Sequence, residues 1–285
     1  MSAQADLYAV AANPVGHSLS PRIHARFAAQ TGEHLHYGKF LVPREAFDDS
    51  VRAFFAAGGA GLNVSVPFKA EAARLADRPS PRVRLAGAAN TLWLERGRLR
   101  AENTDGSGLV RDLLERHRIT LRGRALLLIG AGGAARGVIG PLREAGVAEV
   151  LIANRTIENA QRLVELFHGD RLAACTLSGL GAALSAWRGR DWLVLNASSA
   201  SLTGASLDVP AEAFAEAVAA YDMMYAARPT AFMAQANAAG CPRTLDGLGM
   251  LVEQAADAFA CWRGTRPDTE SVYRDLRGEL IAAAG

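Results

Sequence analysis

The amino-acid sequence predicts an α/β protein with two domains, an N-terminal α/β domain followed by a doubly wound parallel-sheet domain. Its 285 residues exceed the length of a single typical domain, which is about 100–200 residues. Short apolar runs alternate with amphipathic stretches along the chain, as expected where strands alternate with helices. Half of the residues are hydrophobic and 21% are charged, which favours a packed core over disorder.

The N-terminal region, residues 1–105, is predicted to form the first α/β domain. Apolar runs predict strands over residues 7–11, 35–42, 62–66 and 88–94, and the last of these leads into a hairpin at Arg96 and Gly97. One helix is expected from Ser20, as its N-cap, to about residue 30, because Pro21 follows at the first helical position. A second helix is expected over residues 44–57.

The second region, residues 106–246, has a more regular rhythm. A continuous apolar run over 125–129 is typical of a buried parallel strand, and further strands are predicted over 150–153, 192–195 and 218–221. Helical stretches between these strands indicate a parallel sheet with helices on both faces. Residues 247–285 carry apolar positions at helical spacing and are predicted to form two C-terminal helices.

The charge balance and the cysteines exclude several classes of partner. The chain carries 31 Lys and Arg against 29 Asp and Glu, so we expect neither a nucleic-acid partner nor a membrane partner. The N-terminus lacks a signal-peptide pattern, and no apolar run is long enough to span a membrane. The three cysteines are far apart, and no His lies at metal-ligand spacing, so we expect no metal and a cytoplasmic location. A monomer and a homodimer both remain open.

Only two of the 31 basic residues are lysines, Lys39 and Lys69. Arginine cannot release its proton near neutral pH, whereas lysine can do so when its pKa is lowered. A lysine in an arginine-rich chain therefore raises the question of acid–base chemistry. Lys39 lies in a predicted strand, and we assign it no role.

A glycine-rich turn follows the strand over 125–129 and matches the dinucleotide-binding pattern G-x-G-x-x-A. The first glycine permits a tight turn, and the second lets the main chain approach a pyrophosphate. The N-terminus of the following helix supplies free N–H groups for the anion. This context predicts a Rossmann-type dinucleotide-binding domain. The residues expected at the pyrophosphate are Gly130, Ala131, Gly132, Gly133 and Ala134.

The end of the next strand favours NADP over NAD. An NAD site requires Asp or Glu there to bind the ribose 2′-hydroxyl, but this chain has Asn154, Arg155 and Thr156. Glu149 stands at the opposite end of the strand. Arg155 can pair with a 2′-phosphate, which a carboxylate would repel.

Polar residues cluster at several predicted element ends of the first domain. Ser18 and Ser20 lie two residues apart at a helix start, where they can bind a small carboxylate, although Ser20 alone is also explained as an N-cap. Asn63 and Ser65 fall on one face of a predicted strand that Pro67 ends. Lys69 follows two residues later, and further polar groups stand near strand ends at Asn90 and Asp105.

Together these segments resemble the shikimate dehydrogenase family, from about residue 8 to residue 279. The segments that carry the resemblance are NPVGHSLSPRIH (13–24), NVSVPFK (63–69), LAGAANT (85–91), NTDG (103–106), GAGGAA (130–135), NRT (154–156), YDMMY (221–225) and DGLGML (246–251). The resemblance implies an N-terminal substrate-binding domain, an NADP-binding Rossmann domain and C-terminal helices that pack back on the first domain. It also implies NADPH-dependent reduction of 3-dehydroshikimate to shikimate, a step toward chorismate and the aromatic amino acids.

The resemblance further implies a role for each matching residue. Lys69 is the expected acid–base residue, paired with Asp105. Expected to bind the substrate are Ser18, Ser20, Asn63, Ser65, Asn90, Tyr225 and Gln254. Expected to bind NADP, besides the glycine-rich turn and the 154–156 segment, are Gly247 and Met250 on the nicotinamide side. At residue 159 this chain has Asn, where many family members carry a second basic residue for the 2′-phosphate.

Three alternatives remain open from the sequence. One is a quinate/shikimate dehydrogenase that uses NAD, which an acidic residue at the strand end would favour. Another is a dehydrogenase that acts on an amino analogue of shikimate. The third is a non-catalytic sensor of the same ligand, which the presence of both Lys69 and Asp105 disfavours.

Overall fold

The computed structural model describes residues 5–169, 171–187, 189–198 and 207–284. The chain forms two compact units. The first contains the residues up to Gly108 together with Leu251–Arg274, and the second contains Leu109–Met250 and the residues from Asp275 onward. Each unit is therefore built from two separate stretches of the chain.

The first unit is organised around a mixed sheet with strand order β2-β1-β3-β5-β6-β4. Strand β1 pairs in parallel with both of its neighbours, whereas β5 is antiparallel to β3 and β6. The elements up to residue 102 are β1 (Asp6–Ala12), α1 (Ser20–Thr31), β2 (Leu35–Leu41), α2 (Phe47–Ala56), β3 (Gly59–Val64), α3 (Lys69–Leu75), β4 (Arg78–Pro79), α4 (Pro81–Ala86), β5 (Thr91–Glu95) and β6 (Arg98–Glu102).

Several predicted boundaries in the first unit are wrong. The strand expected over 88–94 begins at Thr91, and the helix expected over 44–57 begins at Phe47. Ser20 is the first residue of α1, not its N-cap, and the N-cap residue Leu19 provides no side-chain hydrogen bond. Strand β3 spans Gly59–Val64 and so ends before Ser65, although the Ser65 N–H still donates to the Ala11 carbonyl at 2.9 Å.

The second unit has a parallel sheet with strand order β12-β11-β10-β7-β8-β9. A π-helical turn, Asp112–Arg116, follows α5 (Asp105–Arg111) and leads into this unit. The further elements are β7 (Ala125–Ile129), α6 (Gly133–Glu144), β8 (Glu149–Asn154), α7 (Ile157–Phe167), β9 (Leu172–Thr176), α8 (Leu180–Leu184), β10 (Trp192–Asn196), α9 (Glu212–Ala215), β11 (Ala219–Asp222), α10 (Ala231–Ala238), β12 (Thr244–Asp246), α11 (Leu248–Arg263) and α12 (Glu270–Ala282).

Successive residues of β7 are buried on opposite faces of the parallel sheet, so helices cover both faces. Leu126 and Leu128 are buried in one core cluster together with residues of α6 and α7. Leu127 and Ile129 are buried in a second cluster on the other face. The structure therefore confirms the predicted α/β class and the doubly wound sheet. The order of strands reverses between β7 and β10, and in such sheets ligands bind beyond the carboxyl ends of the strands at that point.

Candidate active site

Lys69 and Asp105 form a close ion pair in the first unit. The Lys69 Nζ lies 2.6 Å from Asp105 Oδ2, with 23% of the lysine side chain and 9% of the aspartate side chain exposed. Lys69 is the first residue of α3, directly after the turn that ends β3, and Asp105 is the first residue of α5. The two residues of the predicted pair are 36 positions apart in the sequence and meet because each is the first residue of its helix.

Asn90 links this pair to the rest of the site. Its Nδ2 donates to Asp105 Oδ1 at 2.9 Å, and it also lies 2.9 Å from Thr104 Oγ1 and 3.2 Å from Gln254 Oε1. Its Oδ1 accepts a hydrogen bond from the main-chain N–H of Thr104 at 2.9 Å. Because Asn90 is 3% exposed, these contacts hold the Asp105 carboxylate in one orientation.

Gln254 reaches this cluster from α11, whose residues from Leu251 onward belong to the first unit. Its Nε2 donates to the Leu251 carbonyl at 2.8 Å, which leaves one amide proton for a ligand. The C-terminal segment therefore supplies a polar group to the N-terminal unit, at the position that the sequence predicts.

The remaining predicted groups of the first unit lie on its helix α1 and strand β3 or just beside them. Ser20 and Asn63 are buried, while Ser18 and Ser65 are half-buried. The Ser18 Oγ accepts from the Ser20 N–H at 3.3 Å and keeps its own proton available for an anion. Hydroxyl groups at a helix start, close to free main-chain N–H groups, are suited to a carboxylate.

The glycine-rich turn of the second unit has the geometry of an anion site. Gly130 has φ of 100°, and a Cβ there would lie 3.0 Å from the Ser198 nitrogen, so only glycine fits this turn. Gly132 and Gly133 are exposed, and a Cβ on either would contact nothing, so their main chain is open to a ligand. They stand at the N-terminus of α6, while Ala131 and Ala134 pack against the core. The residues present therefore fit a pyrophosphate.

The end of β8 presents an exposed arginine. Arg155 is exposed and has no ion pair or hydrogen bond with the residues that the structure describes. Asn154 Nδ2 donates to the Thr156 carbonyl at 2.8 Å, which fixes the turn around Arg155. Glu149 lies at the other end of β8 and pairs with Arg190 at 2.6 Å. These residues fit a 2′-phosphate and provide no carboxylate for a free 2′-hydroxyl.

The segment after β12 is tightly packed in the second unit. A Cβ on Gly247 would lie 2.2 Å from the Met223 carbonyl oxygen, so no other residue fits there. Met250 is buried in the core of this unit at 7% exposure. Tyr225 is half-buried, and burial, reinforced by the charge of Asp246, raises its pKa. The structure thus places Tyr225 in the second unit, whereas the other predicted substrate-binding residues lie in the first.

Two polar residues of the site have no predicted role. Thr104 lies within the NTDG segment, and its Oγ1 contacts Asn90 at 2.9 Å. Tyr37 lies in a predicted strand, and its hydroxyl donates to Asn63 Oδ1 at 2.7 Å. Thr104 could have been found from its motif. No local signal marks Tyr37, because its contact with Asn63 depends on the strand order of the sheet.

A Rossmann-type sheet with an open glycine-rich turn, together with an amide-bound Lys–Asp pair, defines a nucleotide-dependent dehydrogenase class. Three family models match the chain: "Shikimate dehydrogenase substrate binding domain" over residues 10–92, "Shikimate / quinate 5-dehydrogenase" over 112–199 and "Shikimate 5'-dehydrogenase C-terminal domain" over 247–277. A shikimate dehydrogenase (NADP(+)) from Alkalilimnicola ehrlichii is 49% identical over 96% of this chain and 99% of its own. The chain therefore belongs to the shikimate dehydrogenase family.

Solved structures are similar to this chain over nearly its whole length. An Ael1 enzyme from Pseudomonas putida is similar with a TM-score of 0.88 and 44% identity, covering 95% of this chain and 98% of its own. The shikimate 5-dehydrogenase of Thermus thermophilus, solved with NADP(H) and shikimate, has a TM-score of 0.82 and 37% identity, covering 96% of this chain and 100% of its own.

The residues that the structure describes contain neither a candidate metal site nor a candidate membrane-spanning helix. Within 5–169, 171–187, 189–198 and 207–284, no group of three or more His, Cys, Asp or Glu residues could hold a metal ion. In the same ranges, no helix has the length and apolar character needed to span a bilayer.

Proposed function

We propose that this protein is an NADP-dependent shikimate dehydrogenase, an oxidoreductase that reversibly reduces the ketone of 3-dehydroshikimate to the hydroxyl of shikimate. The observation that carries the proposal is the Lys69–Asp105 pair, held at 2.6 Å and bound on its other side by Asn90. Shikimate and NADP(H) are also the ligands of the T. thermophilus relative. The reaction is a step of aromatic amino acid biosynthesis by way of chorismate.

The chain's own residues supply the proton of this reaction. NADPH, when bound, supplies the hydride, so the protein has to add a proton to the ketone oxygen. Lys69 carries that proton as an ammonium, which also stabilises negative charge on the oxygen. Asp105 accepts the Lys69 hydrogen bond and keeps the ammonium at the site. In the direction of oxidation, the same pair takes the proton of the substrate hydroxyl.

The other side chains bind and orient the two ligands. Ser18 and Ser20 hold the substrate carboxylate, and Tyr225 is a further substrate-binding residue of this proposal. Bound to the ring hydroxyls are Asn63, Ser65, Asn90 and Gln254. The main chain of residues 130–134 holds the pyrophosphate, and Asn154, Arg155 and Thr156 hold the 2′-phosphate, with Gly247 and Met250 on the nicotinamide side. The scattered cysteines support a cytoplasmic location.

Initial rates with shikimate and with quinate, each measured with NADP and with NAD, test the proposed function. We expect turnover to be fastest with shikimate and NADP. A preference for quinate or for NAD would contradict the proposal, and binding of shikimate without turnover in any combination would instead indicate a sensor.

Substitution of Arg155 tests the choice of nucleotide. In Arg155→Gln the charge-assisted bond to the 2′-phosphate is lost, so we expect KM for NADP to rise about 10–100-fold. KM for NAD should stay within a factor of about two, because NAD has no 2′-phosphate. The matched control is Arg190→Gln, which removes an arginine from the opposite end of β8, where it pairs with Glu149. Equal changes of KM for both nucleotides would refute this role for Arg155.

A further inference from the structure

The hydroxyl of Tyr37 contacts a side chain of the proposed substrate site. It donates to Asn63 Oδ1 at 2.7 Å. Both residues are buried, with exposures of 6–7%. Tyr37 lies on β2 and Asn63 on β3, so the tyrosine side chain reaches across β1 to make this contact.

The main-chain carbonyl of Asn90 sets the direction of these hydrogen bonds. A carbonyl oxygen can only accept, so it must face the amide nitrogen of Asn63, which lies 3.1 Å away. The carbonyl oxygen of Asn63 then faces Tyr37, and the single proton of Tyr37 is used on it. The donors therefore run in one direction, from Tyr37 through Asn63 to Asn90.

This direction determines what Asn63 offers to a ligand. Its two amide protons are directed at the Asn90 carbonyl, at 3.1 Å, and at Thr91 Oγ1, at 3.2 Å. Of the two lone pairs on its Oδ1, Tyr37 uses one, so one accepting position remains. Asn63 in this orientation matches a ligand hydroxyl that donates a proton, and it does not match a ketone or an ether oxygen.

Aromatic packing holds the Tyr37 ring in place. The ring stacks on His24 with centroids 4.1 Å apart and planes 4° apart, and Trp262 lies at 6.4 Å. Burial lowers the pKa of His24 to about 3, so this imidazole is neutral near pH 7. Burial also raises the pKa of Tyr37 well above its usual range, so its hydroxyl keeps its proton. The position of the hydroxyl is thus set by the protein before any ligand binds.

We propose that Tyr37 is a positioning residue for substrate selection, which holds the Asn63 amide so that the free lone pair of its oxygen meets a donating ring hydroxyl. This inference rests on the proposed function, because it takes Asn63 as a binder of a ring hydroxyl. Tyr37 acts through Asn63 and not on the reacting carbonyl. Its loss should therefore weaken the binding of ground state and transition state equally.

The variant Tyr37→Phe tests the proposal, because it removes the hydroxyl and keeps the ring that packs on His24. We expect KM and the dissociation constant for shikimate to rise about 10-fold, the effect of one lost buried hydrogen bond. Both kcat and KM for NADP should stay within a factor of about two of the wild-type values.

The matched control is Tyr8→Phe, which removes the hydroxyl of another buried tyrosine, on β1. Arg263 donates to this hydroxyl at 3.3 Å. The control variant should leave all these constants unchanged.

A double-mutant cycle shows whether Tyr37 acts through Asn63. In an Asn63→Ala background, Tyr37→Phe should change KM for shikimate by less than about two-fold, because the oxygen that the tyrosine orients is gone. A full 10-fold effect in that background, an unchanged KM in the single variant, or a fall in kcat without a rise in KM would overturn the proposal.

Failure of this inference can be told apart from failure of the proposed function. A wild-type protein that turns over shikimate while Tyr37→Phe has a normal KM overturns only the role of Tyr37. A wild-type protein that binds shikimate without turnover overturns the proposed activity, and the dissociation constants of the variants still decide the role of Tyr37. A wild-type protein that neither binds nor converts shikimate overturns both.

Discussion

At the scale of single residues, the Asp105 carboxylate is bound on both of its oxygens. One oxygen accepts from Lys69 and the other from Asn90, at 2.6 Å and 2.9 Å. The main chain of Lys69 is also held, since its carbonyl accepts from the Ala89 N–H at 2.8 Å. This arrangement leaves the lysine few ways to turn from the aspartate, which suits a group that must meet a substrate oxygen at a set position.

Replacement of Lys69 by arginine should separate its charge from its proton transfer. Lys69→Arg keeps a cation beside Asp105 but gives it no proton to release near neutral pH, so we expect kcat to fall about 10²–10⁴-fold. KM for shikimate should change much less. The change is measured as initial rates at saturating NADP. The matched control is Lys39→Arg, at the other lysine, which donates to the Gly16 carbonyl on the surface.

A turnover of Lys69→Arg near that of the wild type would rule out Lys69 as the proton donor. A comparable loss in the Lys39→Arg control would also contradict the assignment, because the effect would then not be specific to the pair with Asp105.

Much of this residue-scale description could be predicted from the sequence. Lys69 and Asp105 stand in segments whose residue types and spacing resemble a known family, and their pairing follows from the same resemblance. Tyr37 could not be found in this way, because nothing around it in the sequence indicates the strand order β2-β1-β3 that brings it to Asn63.

At the scale of secondary-structure elements, His24 of α1 lies where this helix, β2 and α11 meet. It is fully buried, and neither ring nitrogen has a hydrogen-bond partner among the residues that the structure describes. Its ring packs on Tyr37 of β2 and lies 6.1 Å from Phe259 and 5.4 Å from Trp262 of α11. A charged imidazole is disfavoured in such an apolar contact, which is why the pKa of His24 is lowered to about 3.

His24 should make the protein less stable in acid. The unfolded chain binds a proton on this residue below about pH 6.5, whereas the folded chain does not until about pH 3. Between these two pH values the unfolded state holds more protons than the folded state. The contribution of His24 to the free energy of unfolding therefore has its full value above pH 6.5 and falls as the pH is lowered toward 3. Between pH 7 and pH 5 we expect this single residue to account for a loss of about 2 kcal/mol.

Urea unfolding of His24→Phe at pH 7 and pH 5 measures this contribution. The variant keeps an aromatic ring and loses the titration, so its stability should fall less than that of the wild type between the two pH values. The exposed His36 provides the control, since His36→Gln should keep the wild-type pH dependence. An unchanged pH dependence in His24→Phe would contradict the prediction.

Elements differ in how well the sequence predicts them. Strands β7 and β10 are buried at every residue and stand out as continuous apolar runs. The sequence does not predict β9, because this strand is composed of small residues and is mostly half-buried, or β12, because it has only three residues. Both lie at the edges of the sheet, where an apolar pattern is not required on both faces.

At the scale of the whole molecule, the first unit is completed by residues far along the chain. Trp262 packs on Tyr8 with ring centroids 4.8 Å apart, and Phe259 packs on Phe27 at 5.8 Å. Arg263 forms ion pairs with Asp6 and Glu33. The N-terminal 108 residues therefore lack part of their own core and their own charge partners until α11 is present.

A fragment of residues 1–108 should not fold cooperatively for this reason. The matched control joins residues 1–108 to 251–274 through a short Gly/Ser linker, which is feasible because a Cβ on Gly108 would lie 2.7 Å from the Gln254 nitrogen. We expect a cooperative thermal transition by circular dichroism in the joined fragment and none in the fragment of residues 1–108. A cooperative transition in the shorter fragment would refute the prediction.

The interrupted first unit has a consequence during protein synthesis. The ribosome releases the chain from its N-terminus, so β1 and α1 appear long before the helix that covers them. Production of residues 109–250 takes roughly 7–30 s at typical elongation rates, and through that interval Tyr8, His24 and Phe27 have no Trp262 or Phe259 to pack against. The sheet of the second unit gains its last strand, β12, before α11 has been synthesised. The apolar side chains of the nascent N-terminal segment therefore stay uncovered until α11 has been made.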